Sequence, residues 1–345
     1  MNSIEFETEL ARQRLELYRH PAVDIIQEGY RPISGQVADF TVVRGSGRYH
    51  FFYIERRLAE ATPFFPGNEI YFGHASTANW VDWEVHDPVM LIRPGTWEGA
   101  HVWAPFVLRY GDRFLMAYTG VNAALSQDIG LAESADLFEW RRLEGSPLSP
   151  ARDRAWSFWR ADGVASCRDP HLFEHAGRLW MTYTGNTRAG ASCIALCSTT
   201  DLRNWEDHGP ILVGPDSGYE VEQGISRAHL FGKGRPQGQL ESSCLLFRAG
   251  RWFLFVQAQL RGSEVRNWVF ESQRMDAFEL SAGREFWPGA YTVEWVRDAG
   301  SRSLLASTGP IRLGWVDWSP ERPMARFLST PAELQEWQHP EDTDA

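Results

Sequence analysis

Four stretches of the chain alternate apolar and polar residues on either side of a glycine. They read FTVVRGSGRYHFFY (40–53), FVLRYGDRFLMAY (106–118), HLFEHAGRLWMTY (171–183) and CLLFRAGRWFLFV (244–256). Period-two alternation around a tight turn predicts an antiparallel hairpin. The turn glycines Gly47, Gly111, Gly177 and Gly250 lie 64, 66 and 73 residues apart. After each hairpin comes a second recurring unit: ASTANWVDWEVHDPVM (75–90), AESADLFEWRRLEGSPL (132–148), CSTTDLRNWEDHGPIL (197–212) and a weaker FESQRMDAFEL (270–280). Its kernel is Ser, then Asp or Asn, then Trp or Phe, then a short strand. A fainter fifth hairpin reads YTVEWVRDAGSRSLLAST (291–308), followed by IRLGWVDW (311–318). A repeat of about 65 residues with roughly four strands is the signature of a propeller blade. The pattern predicts an all-β, five-bladed β-propeller with short helical N- and C-terminal extensions.

The ends break the pattern. Ile4 to Tyr18 carries helical apolar spacing with Asn2 or Ser3 as its cap. Thr330-Pro331-Ala332-Glu333 reads as a capping box with proline at the first helical position. The expected division is a helical extension over 1–36, the propeller over 37–325, and a C-terminal helix and tail over 326–345. Residues 213–240 form a Gly- and Pro-containing insertion, and 55–69 a second loop. Such loops on a propeller usually shape the mouth of the central pocket.

Composition narrows the partners. The formal net charge is −11, which disfavours nucleic acid and anionic membranes. No apolar run is long enough to span a bilayer, and the charged stretch Met1–Arg14 is no signal peptide. Cys193 and Cys197 would lie four apart on one strand face, too distant to bridge, and free thiols fit a reducing compartment. A cytoplasmic protein with no nucleic-acid or membrane partner is expected; its oligomeric state stays open. The 16 Trp suit both a core and a sugar-binding cleft. The ten His show no H-E-x-x-H or paired ligand spacing, and no phosphate loop or nucleophile elbow occurs. No cofactor and no metal are expected.

The first strand of every blade runs beside the propeller axis, so equivalent positions on these strands face one space. Counting eight residues back from each turn glycine gives Asp39, Trp103, Asp169, and Ser242 beside Glu241; Gly300 gives Thr292 beside Tyr291. Three acids from three blades therefore converge. Buried acids are costly unless paired or used, and neighbouring carboxylates push one pKa upward. One acid and one base made this way are what glycoside hydrolysis requires.

The order of VADF (37–40), VWAP (102–105), CRDPHLF (167–173) and ESSCLLF (241–247) resembles the superfamily of glycoside hydrolase families 43 and 32. Its members are five-bladed propellers acting on arabinofuranosides, xylosides or fructosides. The resemblance covers roughly residues 37–318. It implies that Asp39 is base or nucleophile, that Asp169 tunes the acid and steadies the transition state, and that Glu241 is the general acid. The chain's length, without a trailing β-sandwich, favours family 43 and an inverting mechanism. A family 32-like site would instead use Asp39 as nucleophile and retain configuration. The chain departs from the pattern with Phe40 in place of the usual proline, Ser242-Ser243 in place of Gly-Pro, and no His at the start of the fifth blade.

The expected function is hydrolysis of a furanoside or related small glycoside. The competing reading is a non-hydrolytic propeller enzyme of small-molecule biosynthesis, doing a cyclisation, transfer or elimination with the same acids. Candidate substrate contacts are Trp103 and Trp159 as stacking surfaces, and His101, Arg168, His171 and Arg227 as hydrogen-bonding groups. Trp83, Trp140 and Trp205, which recur in the kernel, are assigned to packing.

Overall fold

The computed structural model describes residues 23–32, 35–56, 67–215, 239–258, 260, 265–296, 303–307, 310–318 and 323–338. The N-terminal helix expected over Ile4–Tyr18, most of the 213–240 insertion, and Arg227 lie outside the described residues. The described strands form five four-stranded antiparallel sheets, each built from consecutive strands. The first contains β1 (Gln36–Gly45), β2 (Arg48–Arg56), β3 (Phe72–Thr77) and β4 (Trp83–Val89). The second contains β5 (His101–Tyr110), β6 (Arg113–Val121), β7 (Gln127–Ser134) and β8 (Arg141–Arg142). The third contains β9 (Cys167–His175), β10 (Arg178–Asn186), β11 (Ser192–Thr199) and β12 (Glu206–Val213). The fourth contains β13 (Leu240–Arg248), β14 (Arg251–Ala258), β15 (Arg266–Ser272) and β16 (Arg284–Trp287). The fifth contains β17 (Val293–Trp295), β18 (Ser303–Ser307), β19 (Ile311–Asp317) and β20 (Met324–Phe327).

The fold is an all-β propeller. Its cores lie between neighbouring sheets. Val43 and Phe52 of the first sheet share a buried cluster with Val107 and Met116 of the second. Similar clusters join the second to the third, the third to the fourth and the fourth to the fifth. The inner strands β1, β5, β9, β13 and β17 begin each sheet, as the repeat predicts.

The recurring kernel is the turn between third and fourth strands. The hydroxyls of Thr77, Ser134 and Thr199 each accept the backbone N–H groups two and three residues on, and Trp80, Leu137 and Leu202 take positive φ. Such local side-chain bonds favour a turn over a continuing strand.

The seam between the fifth and first sheets is closed by both chain ends. Tyr30 exchanges two backbone hydrogen bonds with Ile311 of β19, and its ring stacks 4.0 Å from Trp83. Helix α1 (Pro331–Gln338) carries the expected box: Thr330 Oγ1 accepts the Glu333 N–H, and Glu333 Oε2 accepts the Thr330 N–H. Its Trp337 donates to the Gly314 carbonyl and meets Trp80 edge-on at 4.7 Å.

Candidate active site

Four inner strands share one irregularity near their start, where two residues oppose one on the neighbouring strand. The breaks fall between Val37 and Phe40, Trp103 and Phe106, Arg168 and His171, and Glu241 and Cys244. A bulge re-aims side chains and leaves a donor unpaired, which is why Pro105 and Pro170 are tolerated there. Ala104, Asp169 and Ser242 hold φ of 44°, 55° and 48° at this point. Gly or Asp suits that backbone better than Ala or Ser.

The bulges correct the register for the second sheet. Gly111 is the first residue of its two-residue turn, whereas Gly47, Gly177 and Gly250 are the second. Counting from Gly111 therefore lands one residue early. Ala104 occupies the place equivalent to Asp169 and Ser242. Trp103 is the last paired residue before the bulge and is buried between the first two sheets.

The three acids are brought together by two residues. Ser242 donates its Oγ to Asp39 Oδ1 (3.1 Å) and its backbone N–H to Asp169 Oδ2 (3.2 Å). Arg168 donates from Nη2 to Glu241 Oε1 (2.8 Å), and its Nε lies 3.3 Å from Asp169 Oδ2. Thr292 Oγ1 adds a second hydroxyl donor to Asp39 Oδ1 at 2.6 Å. The main chain of Asp169 is fixed from the second sheet by donation to Thr119 Oγ1 at 3.0 Å.

Burial raises the Asp39 carboxyl; the Thr292 hydrogen bond opposes this and the nearby Glu241 adds to it. Burial also pushes Asp169 up to about 7, with the Arg168 guanidinium opposing and Asp39 and Glu241 reinforcing. With the two carboxyls buried in one group, a like charge nearby disfavours ionising both at once.

Of the proposed substrate contacts, Arg168 and His171 reach the acids' surroundings. His171 lines a cavity of about 20 Å³ with Asp39, Asp169, Ser242, Thr292 and Glu294; burial pushes it down to about 3, leaving a neutral imidazole. A space of this size suits about one water molecule. His101 is turned to the Asn68 carbonyl at 2.9 Å and stacks on Trp103. Trp159 donates to the Gln127 carbonyl, lies under Arg152, and packs against the core between the second and third sheets. It stands behind the site, since the Gln127 side chain accepts from Arg168 at 3.3 Å.

Several participants escaped the candidate set. The register count reaches Ser242 and Thr292, but the candidate set takes only the three acids and Trp103 from it. Arg56 pairs with Glu69 at 2.7 Å; Arg56 acts electrostatically on Asp39, and Asp39 on Glu69. Burial pushes Glu69 up to about 7 against the opposing Arg56. Glu294 of β17, whose carboxyl is raised by burial and by Asp39, had no sequence signal beyond an acid in a faint strand.

Residues 40–223 match the model for the glycosyl hydrolases family 32 N-terminal domain. That segment contains Asp169, starts one residue after Asp39 and stops before Glu241. No curated protein sequence matches the chain. Among solved structures, it is similar to the Bombyx mori GH32 beta-fructofuranosidase BmSUC1: 16% identity, 93% of this chain and 70% of that one, TM-score 0.66. A thermostable family-43 glycoside hydrolase gives 14% identity, 89% and 96% coverage, and TM-score 0.60. Fructan 1-exohydrolase IIa from Cichorium intybus gives 18% identity, 86% and 59% coverage, and TM-score 0.63. The family match falls on family 32, which corrects the preference for family 43 drawn from chain length.

Proposed function

Because the chain belongs to the glycosyl hydrolases of family 32, we propose that it cleaves a fructofuranosyl bond with retained configuration, using Asp39 as nucleophile and Glu241 as acid and then base. One observation supports this above others: Ser242 and Arg168 tie Asp39, Asp169 and Glu241 into a single connected group. Sucrose and 1-kestose, each seen bound in a structure of a similar enzyme, supply the substrate class.

In this reading Asp39 attacks the anomeric carbon while Glu241 protonates the departing oxygen. The resulting fructosyl ester is hydrolysed by a water that Glu241 deprotonates. The hydroxyls of Ser242 and Thr292 both address Oδ1, which holds the carboxylate in one orientation and leaves Oδ2 for bond formation. Arg168 lies between Glu241 and Asp169. It keeps one carboxylate partner when Glu241 takes up a proton and regains the second when the proton is delivered.

The test is to run the reaction in aqueous methanol and assign the first-formed methyl fructoside by carbon NMR. Retained configuration is expected. An inverted product would return the site to the single-displacement mechanism. Absence of turnover on sucrose, kestose and aryl fructosides alike would favour the biosynthetic reading.

A further inference from the structure

The ten histidines are scattered along the chain, but β2, β3 and β4 gather three of them. His50, His74 and His86 each bring a ring nitrogen within 4.8 Å of the other two. His50 Nδ1 and His74 Nε2 are 3.0 Å apart. His50 pairs across the ladder with Val43, near the Gly45–Arg48 hairpin and away from the Asp39 end of β1. The group is therefore separate from the acid site.

The other sheets provide an internal control. In the third sheet, Arg178 donates to Ser198 Oγ (3.1 Å), Ser198 meets His208 Nε2 (2.8 Å), and Arg178 pairs with Glu206 (2.7 Å). The first sheet repeats this with Arg48 on Ser76 (2.9 Å), Ser76 on His86 Nε2 (2.8 Å) and Arg48 near Glu84 (3.4 Å). His86 thus belongs to a shared structural frame. His50 and His74 do not. Their places in the ladders hold Leu115 and Leu131 in the second sheet, Trp180 and Leu196 in the third, and Phe253 and Val269 in the fourth. Among these four sheets the first alone substitutes two imidazoles for two apolar groups, and it buries them to 2% and 1% exposure.

We propose that His50, His74 and His86 form a three-imidazole site for a divalent transition cation of the zinc class. Imidazole nitrogens suit Zn²⁺, Cu²⁺ and Ni²⁺. Bonds of about 2.0–2.1 Å in tetrahedral geometry need donors roughly 3.4 Å apart, so the 3.0 Å pair would open slightly and the wider separations, which reach at most 4.8 Å, would close. His86 Nε2 meets the Ser76 hydroxyl at 2.8 Å, the kind of polar partner that orients a metal-binding imidazole. The charge of Arg48 beside the cluster is offset by Glu84. Phe138, from the third-to-fourth-strand turn of the second sheet, places its ring 5.4, 5.2 and 5.1 Å from the three imidazole centroids. A bound ion would cross-link β2, β3 and β4 under this ring and brace the contact between the first two sheets.

The test uses tag-free full-length protein treated with chelator and then titrated with Co²⁺ as an optical probe. The wild type is expected to develop visible d–d bands that saturate at one Co²⁺ per chain. Zn²⁺ should then displace the bands and raise Tm. His74→Leu, which installs the third sheet's own residue, should remain folded by circular dichroism and show no bands. His50→Trp, copied likewise from the third sheet, decides the matter if His74→Leu fails to fold. His208→Leu should bind as the wild type does. A wild type without d–d bands, or a folded His74→Leu or His50→Trp variant that keeps them at one equivalent, would overturn the site.

Discussion

The first and third sheets are built on one plan and held for different purposes. Each places an aspartate at the same distance from its hairpin end, Asp39 on β1 and Asp169 on β9. Each carries the same Arg–Ser–His–Glu frame at its outer edge. Asp39 is held by neutral hydroxyls from the fourth and fifth sheets, whereas Asp169 is held by Arg168 of its own strand and a backbone N–H, with the Thr184 hydroxyl more distant at 3.4 Å. A hydroxyl orients a carboxylate without neutralising it, which suits attack on carbon. A guanidinium pins the carboxyl in place, which suits positioning. In the proposed mechanism, two acids at the same distance from their hairpin ends differ in role through the partners that each is given.

Four experiments would break or sharpen this comparison. The largest effect belongs to Asp39. Asp39→Asn should lose at least about 10⁴-fold in kcat, the scale of removing a nucleophile. Asp169→Asn should lose less, roughly 10²–10³-fold, as a group that supports rather than performs proton transfer. Steady-state rates on a fructoside decide it, and equal losses would erase the distinction.

Glu241 comes next. Glu241→Gln should fall about 10²–10⁴-fold on sucrose or kestose, where the leaving alkoxide needs a proton. On a dinitrophenyl fructoside, whose leaving group departs unaided, fructosyl transfer to the enzyme should be nearly unimpaired in a pre-steady-state burst. Asp39→Asn should fail on both substrates.

Smaller still is the effect of the hydroxyls. Ser242→Gly keeps the N–H to Asp169, relieves a positive φ and removes one donor to Asp39. A hydrogen bond to a charged group contributes about 1.5–3 kcal/mol, so kcat/KM should drop at least about tenfold while Tm holds or rises. Thr292→Val should give a similar kinetic loss. If neither variant changes the rate, the hydroxyls do not distinguish Asp39 from Asp169.

The smallest effect is on stability. Asp169 ionises near its ordinary 3.8 in the unfolded chain but at about 7 in the fold, chiefly through burial. The folded state therefore holds a proton that the unfolded state has released over this interval. The associated stability is full below about pH 4 and is lost as pH rises through about 7. Calorimetric Tm values of Asp169→Asn should depend less steeply on pH between 4 and 7 than those of the wild type. An unchanged slope would mean that Asp39, Glu69 or Glu294 carries the titration.

The sheets were legible because alternation and turn glycines are local properties of a strand pair. The acids were legible because strand starts share a register. What could not be read was the order of residues inside a turn: the early Gly111 made Trp103 stand where Ala104 belongs. Ser242 and Thr292 were counted into place, but their purpose exists only across three sheets. The histidine group was hidden for a similar reason. Residues 24 and 12 positions apart become neighbours through ladder pairing, and no spacing rule for a single helix or loop anticipates that. Its available signal was the breach of the apolar grammar at two positions.

The seam between the first and fifth sheets also determines the order in which the molecule can be assembled. Tyr30 and Trp337 come from opposite ends of the chain, and each needs both sheets in place before it has a full set of partners. Hairpins close over a few residues and form early, while contacts spanning nearly the whole chain carry the largest loop-closure entropy and form late. The ring should therefore close last during synthesis, and a ribosome-bound chain that has not yet released Trp337 presents an open crescent with the Trp80 edge uncovered. Hydrogen exchange should find its weakest interior protection at this joint, and a permuted chain with new ends between two other sheets would relocate the weak point.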